Sequence, residues 1–421
     1  MSDTSIKVQN PLWTRDFTII TLGSVVSMLG NSMAGFAMSL MVLDYTGSTM
    51  LYAIYMMMYT IPQLITPIIS GAILDRFSRK RMIYTLDFSM AALYLMIAIV
   101  IGTGHFNFPL LALLTLIIGA VNSTYQVAYE SFYPLLITEG NYSKAYSIAS
   151  VLETLAIFMV PLATFLYNMV GMTPLLLINA VCFFVAASLE TRISAEEKYI
   201  EKQKDKSRND GLSSPKRMLS DVKEGFIYLL SEKGLLAITI YFLFNFMAGG
   251  ASNVIALPYY KSTFKNGEYI FMLVFGMSVV GRGIAGAFHY KKKLPMNLKY
   301  YIALGVYIII GVFEGSYLYL PFQIAMVLSF FTGICGVTSY TIRISSTQGY
   351  VPDEKKGRYN GAFMMLGTLG TLVAELSAGV LTTWFDQRAV LLGFHLLSVI
   401  AALIFIGGNK KAVSAIYNSE N

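Results

Sequence analysis

Twelve apolar runs, separated by short polar loops, dominate the sequence. They fall at residues 17–43, 50–73, 82–102, 109–129, 146–168, 174–189, 234–258, 268–290, 299–318, 321–346, 359–383 and 388–408. A helix needs roughly 20 apolar residues to cross a bilayer. In hydrocarbon each backbone N–H and C=O must find its partner within the segment, and a helix provides that. Charged residues are 13% of the chain and hydrophobic ones 55%, whereas a soluble domain carries about 25% charge. Mean hydropathy is +0.59. The expected fold class is all-α: a polytopic membrane protein with twelve spans. The first run is too long for a signal-peptide core, and no small-residue cleavage site follows it, so it is expected to stay as a span.

Net charge is +7, from 31 Lys and Arg against 24 Asp and Glu. A cationic excess can signal nucleic acid, but placement argues for topology instead. With the N-terminus inside, all but five of these cations fall on the cytoplasmic face. Arg282 and Arg343 lie within spans, and Lys261, Lys265 and Arg388 fall on the outer face. The positive-inside rule therefore puts both termini in the cytoplasm of a plasma-membrane protein, with the bilayer and not a nucleic acid as its partner. Asn141-Tyr142-Ser143 matches a glycosylation acceptor but falls on the inner face, where the match is chance. Cys182 and Cys335 sit in apolar runs and read as buried hydrophobes. The three histidines are scattered. No metal and no cofactor is expected.

The chain divides at residues 190–233. Residues 1–189 are expected to form an N-terminal six-helix bundle and 234–421 a C-terminal one. Between them, 194–217 is polar and reads as a linker. "MLSDVKEGFIYLLSEKG" then sets Leu219, Val222, Phe226 and Leu229 or Leu230 at helical spacing. That pattern predicts an amphipathic helix in the inner interface; the alternative is an N-terminal extension of span seven. The halves also echo each other. "GAILDRFSRKR" at 71–81 ends span two, and "GAFHYKKKL" at 286–294 ends span eight, 215 residues on. Pro134 precedes span five and Pro352 precedes span eleven, offset by 218. Near-equal offsets at matching places support a duplicated six-helix unit, a common transporter plan.

The stretch 71–81 resembles the loop between helices two and three of the major facilitator superfamily, G-x-L-a-D-R-x-G-R-K. Gly71, Asp75, Arg76, Arg79 and Lys80 match it, Ile73 is a mild variant, and Ser78 replaces the usual Gly. The segments 22–48, 221–235 and 347–363 are similar to the drug:proton antiporters of the macrolide-efflux type. The resemblance implies alternating access around a central cavity, and it implies that Asp75 faces the N-terminus of helix eleven. Free N–H groups and a positive dipole end would suit that carboxylate. Arg79 is expected to pair with Glu130 at the inner end of span four, with Arg76 the rival partner. These residues would form an inner gate.

Ionisable residues at membrane depth are costly and therefore functional candidates. Glu153 and Arg282 each lie about eight residues from the inner end of their spans, roughly 12 Å deep at 1.5 Å per residue. The resembled fold sets their helices side by side, so a pair is expected, either a gate or a permanent contact. Glu375 lies deeper with no obvious cation, as a proton carrier or as a neutral hydrogen-bonded carboxyl. Asp87 is read as shallow and drawn toward Arg79 and Arg81. Glu314 is read as solvated, His395 as a packing residue, and Arg343 as snorkelling to the surface or lining the cavity.

By the resemblance, spans one, four, seven and ten line the cavity. They supply Asn31, Asn122, Tyr125, Gln126, Asn245, Asn253, Tyr340 and Arg343 as substrate candidates. Amides and aromatics with few charges suit a neutral or weakly cationic amphiphile, and the 23 methionines suit an adaptable surface. One departure stands out: antiporters of this superfamily often carry G-x-x-x-G-P-x-x-G-G in helix five, and "AIFMVPLATFLY" at 156–167 keeps only Pro161. The expected function is proton-coupled efflux of hydrophobic small molecules by a monomer. The rival is a lipid or lysophospholipid translocator of the same fold. No nucleotide-binding loop is visible, and no clustered set of Asp, His, Ser or Cys that would make an enzyme.

Overall fold

The computed structural model describes residues 11–418 except 75–77, 105, 139–140, 142–144, 146–147, 149–158, 160–161, 196–213 and 293. Every regular element among them is helical. In chain order the helices are α1 Arg15–Thr46, α2 Thr49–Leu74, α3 Arg79–Gly102 and α4 Phe108–Phe132. Residues 162–170 form α5, followed by α6 Met172–Glu190, α7 Ser214–Ser231, α8 Lys233–Thr263 and α9 Gly267–Lys291. The last five are α10 Lys299–Ser316, α11 Phe322–Tyr350, α12 Asp353–Leu381, α13 Gln387–Ala401 and α14 Lys410–Tyr417. Helix α13 continues as a wider π-turn over Ala402–Gly407.

Among the described residues, ten helices are long and apolar enough to cross a membrane. Helix α2 fills the second apolar run, and the fifth run falls largely outside the described residues. The chain is thus an all-helical, multi-pass membrane protein. Most helices overrun their apolar runs; α12 begins at Asp353, six residues before the expected 359. The run marks the hydrocarbon, whereas backbone hydrogen bonding continues into the polar interface until a cap or turn stops it. Ser78 caps α3 by accepting from the Arg81 N–H at 3.1 Å. Asn107 caps α4, accepting from Leu110 N at 3.0 Å. Hydroxyls inside the spans bond back along their own helices, as Ser24 does to the Ile20 carbonyl at 2.7 Å and Thr115 to the Leu111 carbonyl at 2.8 Å. No water is needed to satisfy them.

Packing divides the chain into two compact units, 1–41 with 65–216 and 42–64 with 217–421. In the first, α3 lies along α6 and against α4. Phe17 and Ile20 of α1, Ile83 of α3, and Ala128 and Phe132 of α4 share a core with Ile193. In the second, α9 lies along α11, and α8 along α12. A Cβ on Gly250 of α8 would stand 2.7 Å from the Thr371 carbonyl oxygen of α12, so only glycine allows that approach. The helices leave rows of apolar side chains exposed, among them Leu95 and Ile99 on α3 and Val181 and Phe184 on α6. Such rows would be a liability in water and are the faces a span offers to hydrocarbon.

Helices α7 and α8 are distinct, because Glu232 between them is extended at φ −107° and ψ 95°. Leu229 of α7 is buried in the second unit's core, while Ile227 and Leu230 remain exposed. Helix α7 docks on the start of α12: Gly225 meets the Arg358 carbonyl, Glu224 pairs with Arg358 at 2.7 Å, and the Lys355 ammonium sits over the Tyr228 ring.

Candidate functional site

A cavity of about 140 Å³ opens in the first unit between α1, α3, α4 and α6. Four sequence candidates meet at it: Asn31 from α1, and Asn122, Tyr125 and Gln126 from α4. Ser24, Ser27 and Met28 complete the α1 wall, Asp87 and Met90 come from α3, and Phe183 comes from α6. Their positions follow from helical periodicity. Ser24, Ser27, Met28 and Asn31 stand at i, i+3, i+4 and i+7, and Asn122, Gln126 and Tyr129 at i, i+4 and i+7, so each set lies on one helix face. The Tyr94 hydroxyl donates to Asn31 Oδ1 at 2.7 Å and fixes that amide. Tyr125 stacks on Tyr129 at 5.9 Å between ring centroids. The wall combines amides, hydroxyls, thioethers and rings, with Asp87 its one carboxyl among the described residues. Such a surface can hold an apolar body, bond a few polar groups, and place a single negative charge beside them.

Asp87 corrects its sequence reading. It is 1% exposed and faces Glu190 at hydrogen-bonding reach, not Arg79 or Arg81. Eight residues of helix, about 12 Å, separate it from Arg79. Sequence reasoning passed over Glu190, which stood just beyond the apolar run ending at 189. Helix α6 includes it as its last residue, and its side chain is 0% exposed. Gly23 makes the acid's room: a Cβ there would stand 3.0 Å from Glu190 Oε1.

The inner-gate candidates are described only in part. Asp75 and Arg76 lie outside the described residues, and Gly71 falls within α2. Arg79 Nη1 donates to the Ser131 carbonyl at 2.8 Å, one residue past Glu130. Lys80 Nζ donates to the Ile193 carbonyl at 2.7 Å, tying the start of α3 to the chain after α6. Glu153 also lies outside the described residues. Arg282 stands exposed on α9, and its electrostatic neighbour within the second unit is Glu314 of α10, which also approaches Thr332. Glu314 is thus half-buried beside a cation, a second correction to a reading that left it solvated.

The remaining candidates belong to the second unit. Glu375 is 2% exposed, with Oε2 lacking a donor. It lies beside Asn253 and Thr60, so two sequence candidates meet there. Asn245 Nδ2 reaches the Tyr241 hydroxyl at 3.4 Å. Arg343 is held over the rings of Phe363, Phe242 and Tyr340, at 4.4, 5.3 and 5.5 Å from their centroids. An aromatic cage, and not a run to the surface, accommodates its guanidinium. His395 is 1% exposed and meets Ser252 Oγ through Nε2 at 3.0 Å, in keeping with a packing role. Cys182 and Cys335 are free thiols, and no cluster able to hold a metal occurs among the described residues.

Comparison with known proteins bears on the same helices. A family model described as Major Facilitator Superfamily matches residues 20–320. The uncharacterized MFS-type transporter YkuC of Bacillus subtilis is 25% identical over 306 residues, covering 69% of each chain. Macrolide efflux protein A of Streptococcus pyogenes is 22% identical over 258 residues, 60% of this chain and 61% of the relative. Among solved structures, the nucleoside transporter NupG superposes with a TM-score of 0.67 at 14% identity. The match covers 93% of this chain and 98% of that one, a likeness of fold.

Proposed function

The chain belongs to the Major Facilitator Superfamily, and from that premise we propose that it is a secondary active transporter exporting hydrophobic or amphipathic small molecules in exchange for protons. It works by alternating access as a monomer in the plasma membrane, with both termini cytoplasmic. Residues 1–189 and 234–421 act as its two six-helix bundles, joined through 190–233. It uses no cofactor. The observation that carries this reading is the cavity of the first unit. Its amides, hydroxyls, aromatic rings and methionines offer an adaptable apolar surface with few fixed polar points. The similarity to a macrolide efflux protein agrees with it. Asn31, Asn122, Tyr125 and Gln126 contact the substrate; Asn245, Asn253, Tyr340 and Arg343 serve the second unit's side of the task.

Inside-out membrane vesicles test this reading. Cells producing the protein should yield vesicles that take up a fluorescent lipophilic compound when respiration acidifies the lumen, and a protonophore should abolish that uptake. Uptake equal to that of vesicles lacking the protein, or indifferent to the protonophore, would contradict it.

A further inference from the structure

Of the two buried carboxyls at the cavity wall, Asp87 and Glu190, three of the four oxygens complete no hydrogen bond with the groups around them. Glu190 is 0% exposed and Asp87 1%. They face each other within hydrogen-bonding reach. No N–H or O–H group at bonding distance donates to either oxygen of Glu190, or to Asp87 Oδ2. Ionised carboxylates only accept, so two of them bond to each other only when one holds a proton.

Among the described residues, the surroundings supply no countercharge. From α4 the pair is faced by Tyr125, whose buried hydroxyl approaches Glu190 without completing a hydrogen bond, and more distantly by Tyr129. From α1 come Ser24 and Gly23. No Lys or Arg acts on the pair from the described parts of α1, α3, α4 or α6. Two bare negative charges at this depth would be expensive, and protonation of one removes the expense. Asp87 also lines the cavity, so whatever binds there meets this carboxyl first.

We propose that Asp87 and Glu190 form a one-proton site, and that its proton is exchanged for the positive charge of a cationic amphiphile bound in the adjoining cavity. The inference rests on the transport reading above and sharpens its substrate class. With the cavity empty, the pair shares one proton. A cation arriving beside Asp87 replaces it, and the proton leaves for the solution on the side to which the cavity opens. One positive charge enters as one departs, so the site's net charge is unchanged. Glu190, behind Asp87 and against Gly23, is the second acceptor that keeps the proton bound until a cation displaces it. A neutral molecule of the same shape displaces nothing.

The test uses the full chain purified in detergent, in weak buffer with a pH indicator. Tetraphenylphosphonium and the neutral triphenylphosphine oxide are the probes. Wild type should release one proton per bound tetraphenylphosphonium and none with the neutral compound. Release should fall by about tenfold or more in both Glu190→Gln and Asp87→Asn. A second measurement needs no variant. Dicyclohexylcarbodiimide adds to protonated carboxyls in apolar surroundings, so peptide mass spectrometry should find the adduct on Asp87 or Glu190, and tetraphenylphosphonium should protect both. Cation binding without proton release, release from both variants equal to that of wild type, or adducts only elsewhere would each overturn the assignment. If wild type and both variants exchange tetraphenylphosphonium equally well against a pH gradient in liposomes, the pair is wrong and the transport reading stands. If wild type shows no such exchange, the transport reading itself has failed.

Discussion

The Tyr94 hydroxyl donates to Asn31 Oδ1 at 2.7 Å, joining α3 to α1 at the wall of the cavity. Tyr94 is 2% exposed, so the bond has no water to replace it. Tyr94→Phe should cost about 1 kcal/mol of stability, the usual net worth of such a bond. It should also loosen the amide and raise KM several-fold, with little change in kcat. Asn31→Ala should raise KM further. Thermal unfolding in detergent and transport kinetics in vesicles separate the two effects.

Gly23 gives a way to disturb Glu190 without removing a charge. A Cβ there falls 3.0 Å from Oε1 and 3.2 Å from Cγ of a side chain that cannot swing out to solvent. Gly23→Val should overpack the contact at about 1–3 kcal/mol. Expression should persist while transport falls roughly tenfold, a barrier change of about 1.4 kcal/mol. Transport unaffected by Gly23→Val would mean that the acid's placement is not critical.

The docking of α7 on α12 depends on close approach more than on charge. The Glu224–Arg358 pair is 2.7 Å long, with its side chains 51% and 40% exposed. Solvent screening holds such a pair below about 1 kcal/mol, so Glu224→Ala should barely move Tm. Gly225 meets the Arg358 carbonyl backbone, and Gly225→Leu should lower Tm by several degrees as α7 is pushed off. The order of the two Tm shifts is the check.

Between the end of α12 and the start of α13, Asp386 accepts from the Arg388 N–H at 3.1 Å and from its Nε at 2.9 Å. Those bonds hold the Asp386 carboxyl below the usual carboxylate range. A lowered folded value means the carboxylate stabilises at pH above its unfolded value of about 3.9, and that this contribution is lost as pH falls through the folded value. Both groups are exposed, so the effect should be small and weaker in salt. Melting curves of wild type and Asp386→Asn should converge near pH 3 or below, an approximate limit set by the ordinary carboxylate range, and differ at neutral pH.

The helices were legible because hydrocarbon imposes a length and a polarity that a single sequence displays directly. Asn31, Asn122, Tyr125 and Gln126 could be gathered because each is polar within an apolar run, and because the family resemblance set those two runs at a cavity. Contacts between helices distant in sequence left weaker marks. Glu190 was hidden at a run's end, where a carboxylate ordinarily meets water, and nothing local announces that Gly23 makes room for it. Asp87 misled for the opposite reason: the cations close by in sequence, Arg79 and Arg81, lie about 9–12 Å away along the helix axis. Glu314 likewise finds its polar neighbours, Arg282 and Thr332, on other helices.

Proteoliposomes with an imposed pH gradient address the central claim most directly. Tetraphenylphosphonium is the right probe, because a permanent cation does not follow a pH gradient passively as a weak base does. With the membrane potential clamped to zero by valinomycin and equal potassium, an acidic lumen should drive its accumulation inside as protons leave. Collapsing the gradient should empty the vesicles. Accumulation that is absent, or equal with and without the gradient, would contradict proton-coupled export.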